Sequence, residues 1–241
     1  MIKSIHSDLY RSFNRMYMFV LIICIAGLSI IVNIALSTSR PEIASVSSSW
    51  GLALNLLTFP MFLLPMLVDI VFAEEYKEHT LKNTVAFGTN RAILFISKNI
   101  TIILLGILLA VITFAVWCGS SLILLNHDAH FTGAFISDFF MRVGASCVDY
   151  VACITVASFF AVLLKRSSLF VFAYYGVIFF MKYVFMLFKV PFLNKYLLSE
   201  QIAVFGQGSA AQIQNSLLVC LVTLAVFIAL GLVSFRKQDI S

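Results

Sequence analysis

The chain has 241 residues, of which 61% are hydrophobic and only 11% are charged. A soluble domain carries about 25% charged residues, so a mean hydropathy of +1.03 excludes a water-soluble globule and indicates the lipid bilayer as the solvent. The formal net charge of +5 does not indicate a nucleic-acid partner, because no basic face lies away from the predicted membrane edges.

The first sixteen residues predict an amphipathic helix. Their charged side chains lie off an apolar stripe of helical spacing, which is formed by Ile2, Ile5, Leu9, Phe13 and Met16. We expect residues 1–16 to lie in the cytoplasmic interface before the chain turns into the membrane. The alternative is a charged leader that only fixes the topology.

Six apolar stretches follow. A membrane-spanning helix needs roughly 20 mainly apolar residues, and the stretches that meet this requirement are 17–37, 50–73, 99–125, 143–164, 168–188 and 215–235. The first is too long for a signal peptide and five more follow it. The sequence therefore predicts an all-α polytopic membrane protein, with six transmembrane helices in one domain over residues 1–241.

Two segments predict departures from simple spanning helices. Pro60 and Pro65 lie inside the second span, where each removes a backbone donor, so we expect a broken helix whose freed carbonyls bond within the protein. Residues 189–215, before the sixth span, are too polar to span a membrane and too apolar to float free. They predict a pair of short helices that dip into the outer leaflet.

The distribution of Lys and Arg predicts the orientation. If six helices alternate, the positive segments fall on one side, and their residues are Lys3, Arg11, Arg15, Lys77, Lys82, Arg91, Lys98, Lys165, Arg166, Arg236 and Lys237. The opposite side holds only Arg40, Lys189 and Lys195. We therefore expect both termini to be cytoplasmic.

Ionisable residues within spans are costly and are functional candidates. Asp69 lies near the cytoplasmic end of the second span, Asp149 inside the fourth and Lys182 two-thirds along the fifth. The alternatives are a protonated or hydrogen-bonded packing role for Asp149 and snorkelling to the outer interface for Lys182. Asp138 and Arg142 are four residues apart and predict an ion pair on one helix face.

Catalytic and metal motifs are missing from the sequence. The five cysteines lie within apolar runs without a CxxC pair, and no phosphate-binding loop is present. Glu78-His79 begins like a zinc-protease motif, but position 83 is Asn83. Among His127, Asp128 and His130 we favour a polar turn over a metal site. We expect no catalytic residue, no metal and no cofactor bound by this chain.

The longest polar interruption of the first half is FAEEYKEHTLKNTVAFGTNRAILFISK, residues 72–98. Glu78 and Lys82 have the favourable i,i+4 order, and two glutamates precede them where a helix dipole favours acidic side chains. Leu81 and Val85 form an apolar edge. The pattern predicts a short helix at the membrane surface, held by a span on each side; an ordinary polar loop is the alternative.

This segment resembles the pattern that follows the second span in permeases of type-two ABC exporters. Glu75-Tyr76, Thr80-Leu81, Arg91 and Ser97-Lys98 match that pattern, whereas His79 and Gly88 depart from its Gly and Pro. The resemblance implies a coupling helix that receives the motion of a separate ATPase. The implied coupling residues are Glu74, Glu75, Tyr76, Glu78, His79, Thr80, Leu81, Lys82 and Arg91.

The resemblance also implies partners and cargo. Two permeases would pair in a bacterial cell membrane, each docked on a cytoplasmic ABC ATPase that binds ATP and Mg. The small size resembles lantibiotic- and bacteriocin-immunity permeases, which implies export of an amphipathic peptide or hydrophobic compound. Such cargo would pass along the aromatic side chains of the fifth span, and the alternative is that these side chains only pack within the protein or face lipid. They are Tyr174, Tyr175, Phe179, Phe180, Tyr183 and Phe185. The competing hypothesis is a scaffold or sensor that binds a partner without transport.

Overall fold

Nine α-helices and two short 3₁₀-helices form most of the described part of the protein. The structure is a computed structural model that describes residues 2–39, 44–73 and 90–237. The α-helices in these ranges are α1 (Ile2–Phe13), α2 (Met16–Ser39), α3 (Val46–Asn55), α4 (Leu64–Val68), α5 (Arg91–Leu124), α6 (Gly133–Leu164), α7 (Ser167–Leu187), α8 (Leu198–Gln207) and α9 (Ala210–Lys237). No strand occurs within them, which confirms the all-α prediction.

Five of these helices are long and apolar enough to cross a membrane: α2, α5, α6, α7 and α9. The count rises to six if α3 and the bent stretch after it are taken as one span. α6 is the central helix, because 61% of its apolar stretch is buried, against 28% or less in the other four. It packs most extensively on α9.

Several spans are longer than the hydropathy pattern predicts. α5 begins eight residues before the predicted 99–125, α6 begins ten before 143–164, and α9 extends 215–235 at both ends. Charged residues end an apolar window, but they do not end a helix when their side chains find partners. Asn90 and Thr132 set the actual starts of α5 and α6 by accepting hydrogen bonds from backbone N–H groups of the first turn.

The N-terminal helix is shorter than predicted and packs through a different face. It ends at Phe13 rather than at residue 16. Asp8 and Ser12 are buried against the bundle, whereas Ile2 on the predicted apolar stripe is 81% exposed. Leu9 is the stripe residue that packs on the core. The interfacial position of α1 stays a prediction.

The stretch predicted as the second span is broken, as the two prolines predict. α3 meets the following stretch Phe59–Phe72 at an angle of 42°. Pro60 lies in the first turn of a 3₁₀-helix, Phe59–Phe62, and Pro65 in the first turn of α4, where a missing N–H is tolerated. A π-helical turn, Asp69–Ala73, completes the described part of the span.

Tyrosine hydroxyls bond the carbonyls that this break frees. In a regular helix the Met61 carbonyl would accept the N–H of residue 65, which Pro65 lacks; the Tyr174 hydroxyl donates to it at 2.9 Å instead. The Met61 N–H bonds within the 3₁₀ turn, which frees the Leu57 carbonyl, and Tyr150 donates to that oxygen at 2.7 Å. The predicted satisfaction of freed carbonyls inside the protein is therefore confirmed.

Two further side chains support the same span. The Tyr175 hydroxyl donates to the Phe62 carbonyl at 2.7 Å, and Lys98 Nζ donates to the Val71 carbonyl at 3.2 Å. Bonded backbone groups are required where no water is available. The shape of the second span therefore depends on side chains of α5, α6 and α7.

Two short helices precede the last span, as predicted. A 3₁₀-helix, Pro191–Tyr196, leads into α8. Gly206 of α8 lies so close to α3 that an added Cβ would be 2.6 Å from the Leu54 carbonyl oxygen. Arg142 Nη1 donates to the Gly208 carbonyl at 3.0 Å, and its Nε forms the predicted ion pair with Asp138 at 2.7 Å. Insertion of this hairpin into the outer leaflet stays a prediction.

Candidate functional site

Lys98 is the centre of a buried contact at the end of the bundle that carries α1, here called the α1 end. Its side chain is 1% exposed, and Nζ lies 3.8 Å from Oδ2 of Asp8. The same ammonium group bonds the Val71 carbonyl and lies 5.7 Å from the centroid of the Phe72 ring. One cation thus joins α1, the end of the second span and the start of α5.

A second hydrogen bond connects α1 to α5 beside this ion pair. The Ser4 and Ser97 hydroxyl oxygens are 3.3 Å apart, and either can donate. Asp8 also lies 3.8 Å from Nη2 of Arg11 on its own helix. α1 is therefore attached to the third span through polar side chains, while much of its apolar stripe remains exposed.

The predicted coupling segment connects two anchored points. Glu74, Glu75, Tyr76, Glu78, His79, Thr80, Leu81 and Lys82 lie outside the described residues. Arg91, which the pattern also included, is the first residue of α5, and its Nη1 donates to the Arg236 carbonyl at 3.2 Å in the last turn of α9. The described residues on the two sides of the segment are thus held in place. Lys98 of α5 bonds the Val71 carbonyl before the segment and contacts α1, and Arg91 contacts α9.

The three ionisable residues predicted inside spans do not form one site. Asp69 accepts a hydrogen bond of 2.5 Å from the Ser167 hydroxyl at the start of α7. Asp149 is fully buried and accepts from Cys220 Sγ of α9 at 3.2 Å. Each therefore joins a different pair of elements: the second span with α7, and α6 with α9.

Lys182 contacts the short helix before the last span. Its Nζ lies 2.5 Å from Oε1 of Glu200 in α8, and both side chains are partly exposed. This contact ties α7 to α8 at the end of the bundle opposite α1, here called the α8 end. Snorkelling of Lys182 to the interface stays a prediction, with which the pairing to Glu200 is compatible.

An apolar groove runs between α2, the broken second span, α5 and α6. It has two adjoining lobes with cavity volumes of about 90 and 220 Å³. Phe59, Pro60 and Phe114 line both lobes, and Trp117 and Tyr150 each line one. Among the described residues, no charged side chain contributes to its lining, so the groove suits apolar rather than ionic groups.

The polar turn at the α8 end holds Asp128 against α3. Asp128 accepts a hydrogen bond from the Ser47 hydroxyl, and this bond, more than any other contact, lowers the pKa of the carboxyl below its usual range. Within the described ranges, no group of three His, Cys, Asp or Glu residues is arranged to hold a metal ion.

The aromatic residues of α7 have three different environments. Tyr174 is buried and bonded to the second span. Phe179 stacks on Phe62 with ring centroids 4.1 Å apart and an interplanar angle of 7°. Phe180 and Tyr183 are exposed on the outside of the bundle. These are packing and outward-facing positions, and only the first two environments adjoin the broken span.

Sequence reasoning missed two polar contacts that organise the bundle. The charged side chains of α1 were predicted to lie off its apolar stripe, with no partner in the bundle, although Asp8 faces Lys98. Asn33 is buried in α2, where its amide donates to the Ser120 hydroxyl at 2.7 Å and to the Trp117 carbonyl at 3.1 Å, and accepts from Ser49 at 2.6 Å. A lone Asn inside an apolar span was the available signal.

No protein-family model and no curated protein sequence matches this chain. The function must therefore be argued from the residues and from the contacts described above.

Proposed function

We propose that this chain is the permease subunit of a type-two ABC exporter in a bacterial cell membrane, with both termini cytoplasmic. It moves an amphipathic peptide or hydrophobic compound outward, in resistance or self-immunity, together with a second permease. A separate cytoplasmic ATPase binds ATP and Mg, and this chain has no catalytic residue of its own. The sequence pattern of residues 74–91 and its resemblance to coupling helices motivate the proposal.

The observation that carries the proposal is the anchoring of both ends of that segment. Lys98 ties the third span to α1 and to the second span, and Arg91 ties it to α9. A displacement applied to residues 74–89 would therefore reach four helices that converge at the α1 end.

The test is charge reversal in the predicted contact. Glu75→Lys and Glu78→Lys, combined, should leave insertion unchanged, because added positive charge there agrees with the inside rule. The variant should recover little ATPase on co-purification, since like charges at a complementary interface are strongly unfavourable. The matched control is His127→Lys at the α8 end. Full ATPase recovery and full transport in the double variant would refute the coupling role.

Two further measurements separate transport from a scaffold or sensor role. Cargo-stimulated ATP turnover by the purified complex supports transport, whereas ATPase binding without stimulation supports a scaffold. His79→Cys and His130→Cys, each in a background without the five native cysteines, report the topology with an impermeant thiol reagent. Labelling of position 79 from outside intact cells would contradict the proposed orientation.

A further inference from the structure

The bent segment, residues 57–62, forms one wall of the apolar groove. Phe59 and Pro60 line both lobes, and Leu57 lines the second. The opposite walls belong to α2, α5 and α6, and include the half-buried thiol of Cys147. Any movement of the bent segment away from α6 would therefore widen the groove and expose that thiol.

The bent segment has few regular backbone bonds to hold it in place. Its internal N–H groups bond only within 3₁₀ turns, such as Phe59 to Leu56 at 2.9 Å and Leu63 to Pro60 at 2.9 Å. The polar attachments to other helices are the hydroxyl groups of Tyr150, Tyr174 and Tyr175. Three side-chain bonds thus replace the continuous ladder that stiffens an ordinary span.

The tyrosine hydrogen bonds break more easily than the backbone hydrogen bonds of a helix. A helix carbonyl loses its partner only when the helix itself unwinds, whereas a tyrosine hydroxyl can leave by a side-chain rotation. Each such bond contributes only about 0.5–1.5 kcal/mol net. A segment bent at both prolines and held in this way can move as a unit on two hinges.

We propose that the bent segment is a gate of the apolar groove and that Tyr150, Tyr174 and Tyr175 are its latch. In the closed state all three hydroxyls bond carbonyls of the second span. In the open state the hydroxyls release them, and water or another hydrogen-bond donor bonds the freed oxygens. The gate is a property of this chain and does not depend on the ATPase partner proposed above.

The experiment measures alkylation of Cys147 by a small permeant maleimide in detergent micelles, with the other four cysteines replaced by alanine. Tyr150→Phe, Tyr174→Phe and Tyr175→Phe each remove one hydroxyl and keep the ring. Each should raise the alkylation rate about fivefold, as expected for the loss of one hydrogen bond of ordinary strength. The matched control is Tyr183→Phe, since that exposed ring lies on the outside of the bundle.

A second reporter separates gate opening from general loosening of the fold. Cys153 is fully buried in the core on the same helix as Cys147. Its alkylation, measured alone in the same way, should stay unchanged in Tyr150→Phe and Tyr175→Phe. Tyr174→Phe is left out of this comparison, because the Tyr174 hydroxyl contacts the Cys153 thiol. Equal acceleration at Cys147 and Cys153, or no acceleration at Cys147, would overturn the latch.

Pro65→Ala tests whether the Tyr174 hydroxyl acts through the Met61 carbonyl. Alanine restores the N–H that lies four residues after the Met61 carbonyl, which Tyr174 otherwise bonds. The rate increase caused by Tyr174→Phe should therefore shrink in the Pro65→Ala background, while the increase caused by Tyr150→Phe should remain. An unchanged Tyr174→Phe effect would contradict the assignment of that hydroxyl to the freed carbonyl.

Discussion

Replacement of Lys98 by methionine should destabilise the protein more than most single substitutions. The methionine keeps the length of the side chain but removes the ammonium group between Asp8 and the Val71 carbonyl. Lys98 is 1% exposed and the Asp8 side chain 11% exposed, so water cannot replace the lost contacts. Loss of one partner of a buried ion pair costs about 3–5 kcal/mol.

The expected cost lies at the lower end of that range. The Nζ to Oδ2 distance of 3.8 Å is long for an ion pair, and Arg11 remains 3.8 Å from Asp8 in the variant. We therefore expect Lys98→Met to cost about 3 kcal/mol and Asp8→Asn about 2 kcal/mol. The double variant has neither buried charge. Its free energy of unfolding should therefore fall by about 2 kcal/mol, which is less than the sum of the costs of the two single substitutions.

Thermal unfolding in detergent micelles, followed by the fluorescence of Trp50 and Trp117, measures these differences. For a chain of this size, 1 kcal/mol shifts Tm by about 2–4 °C, so Lys98→Met should lower Tm by roughly 6–12 °C. Lys195→Met, at an exposed lysine of the α8 end, is the control and should change stability by at most about 0.5 kcal/mol. Additive effects of the two single substitutions would refute the buried pair.

Three more predictions concern the α8 end. Arg142→Met removes the ion pair and the carbonyl bonds that hold the end of α8, so α8 amides should exchange with deuterium faster, with a loss of about 2 kcal/mol in stability. Gly206→Ala places a Cβ 2.6 Å from the Leu54 carbonyl oxygen, which should cost about 1–3 kcal/mol in thermal unfolding. Because the pKa of Asp128 is lowered on folding, its bond to Ser47 stabilises the protein fully above the ordinary pKa of an aspartate. That stabilisation is lost as the pH falls through the lowered pKa. Ser47→Ala should remove that acid-dependent step from a pH titration of Tm.

Much of the fold follows from local sequence patterns. Apolar length predicts the spanning helices, and Pro60 and Pro65 predict the break because a missing N–H acts on the nearest turns. The Asp138–Arg142 pair follows from i,i+4 spacing on one helix. All of these depend on residues that are close together in the chain.

The missed contacts join residues that are far apart in the chain. Asp8 and Lys98 pair across ninety residues, so helical periodicity alone puts Asp8 on the solvent side. The apolar windows begin only after Lys98 and Arg142, whereas α5 and α6 extend past both residues because these cations bond groups of other helices. The partner of Asp149 was equally unpredictable, since the Cys220 thiol belongs to the last span.

The order of synthesis differs from the order in which the second span can be completed. The Tyr150 and Tyr174 hydroxyls lie 93 and 113 residues after the carbonyls that they bond. At about 5–20 residues per second, a ribosome needs roughly 5–20 s to add ~100 residues. During that time the freed carbonyls would face lipid without donors, which costs several kcal/mol for each group. We therefore expect the nascent second span to remain beside the insertion machinery, where donors are available, until the fourth and fifth spans enter the bilayer and close around it.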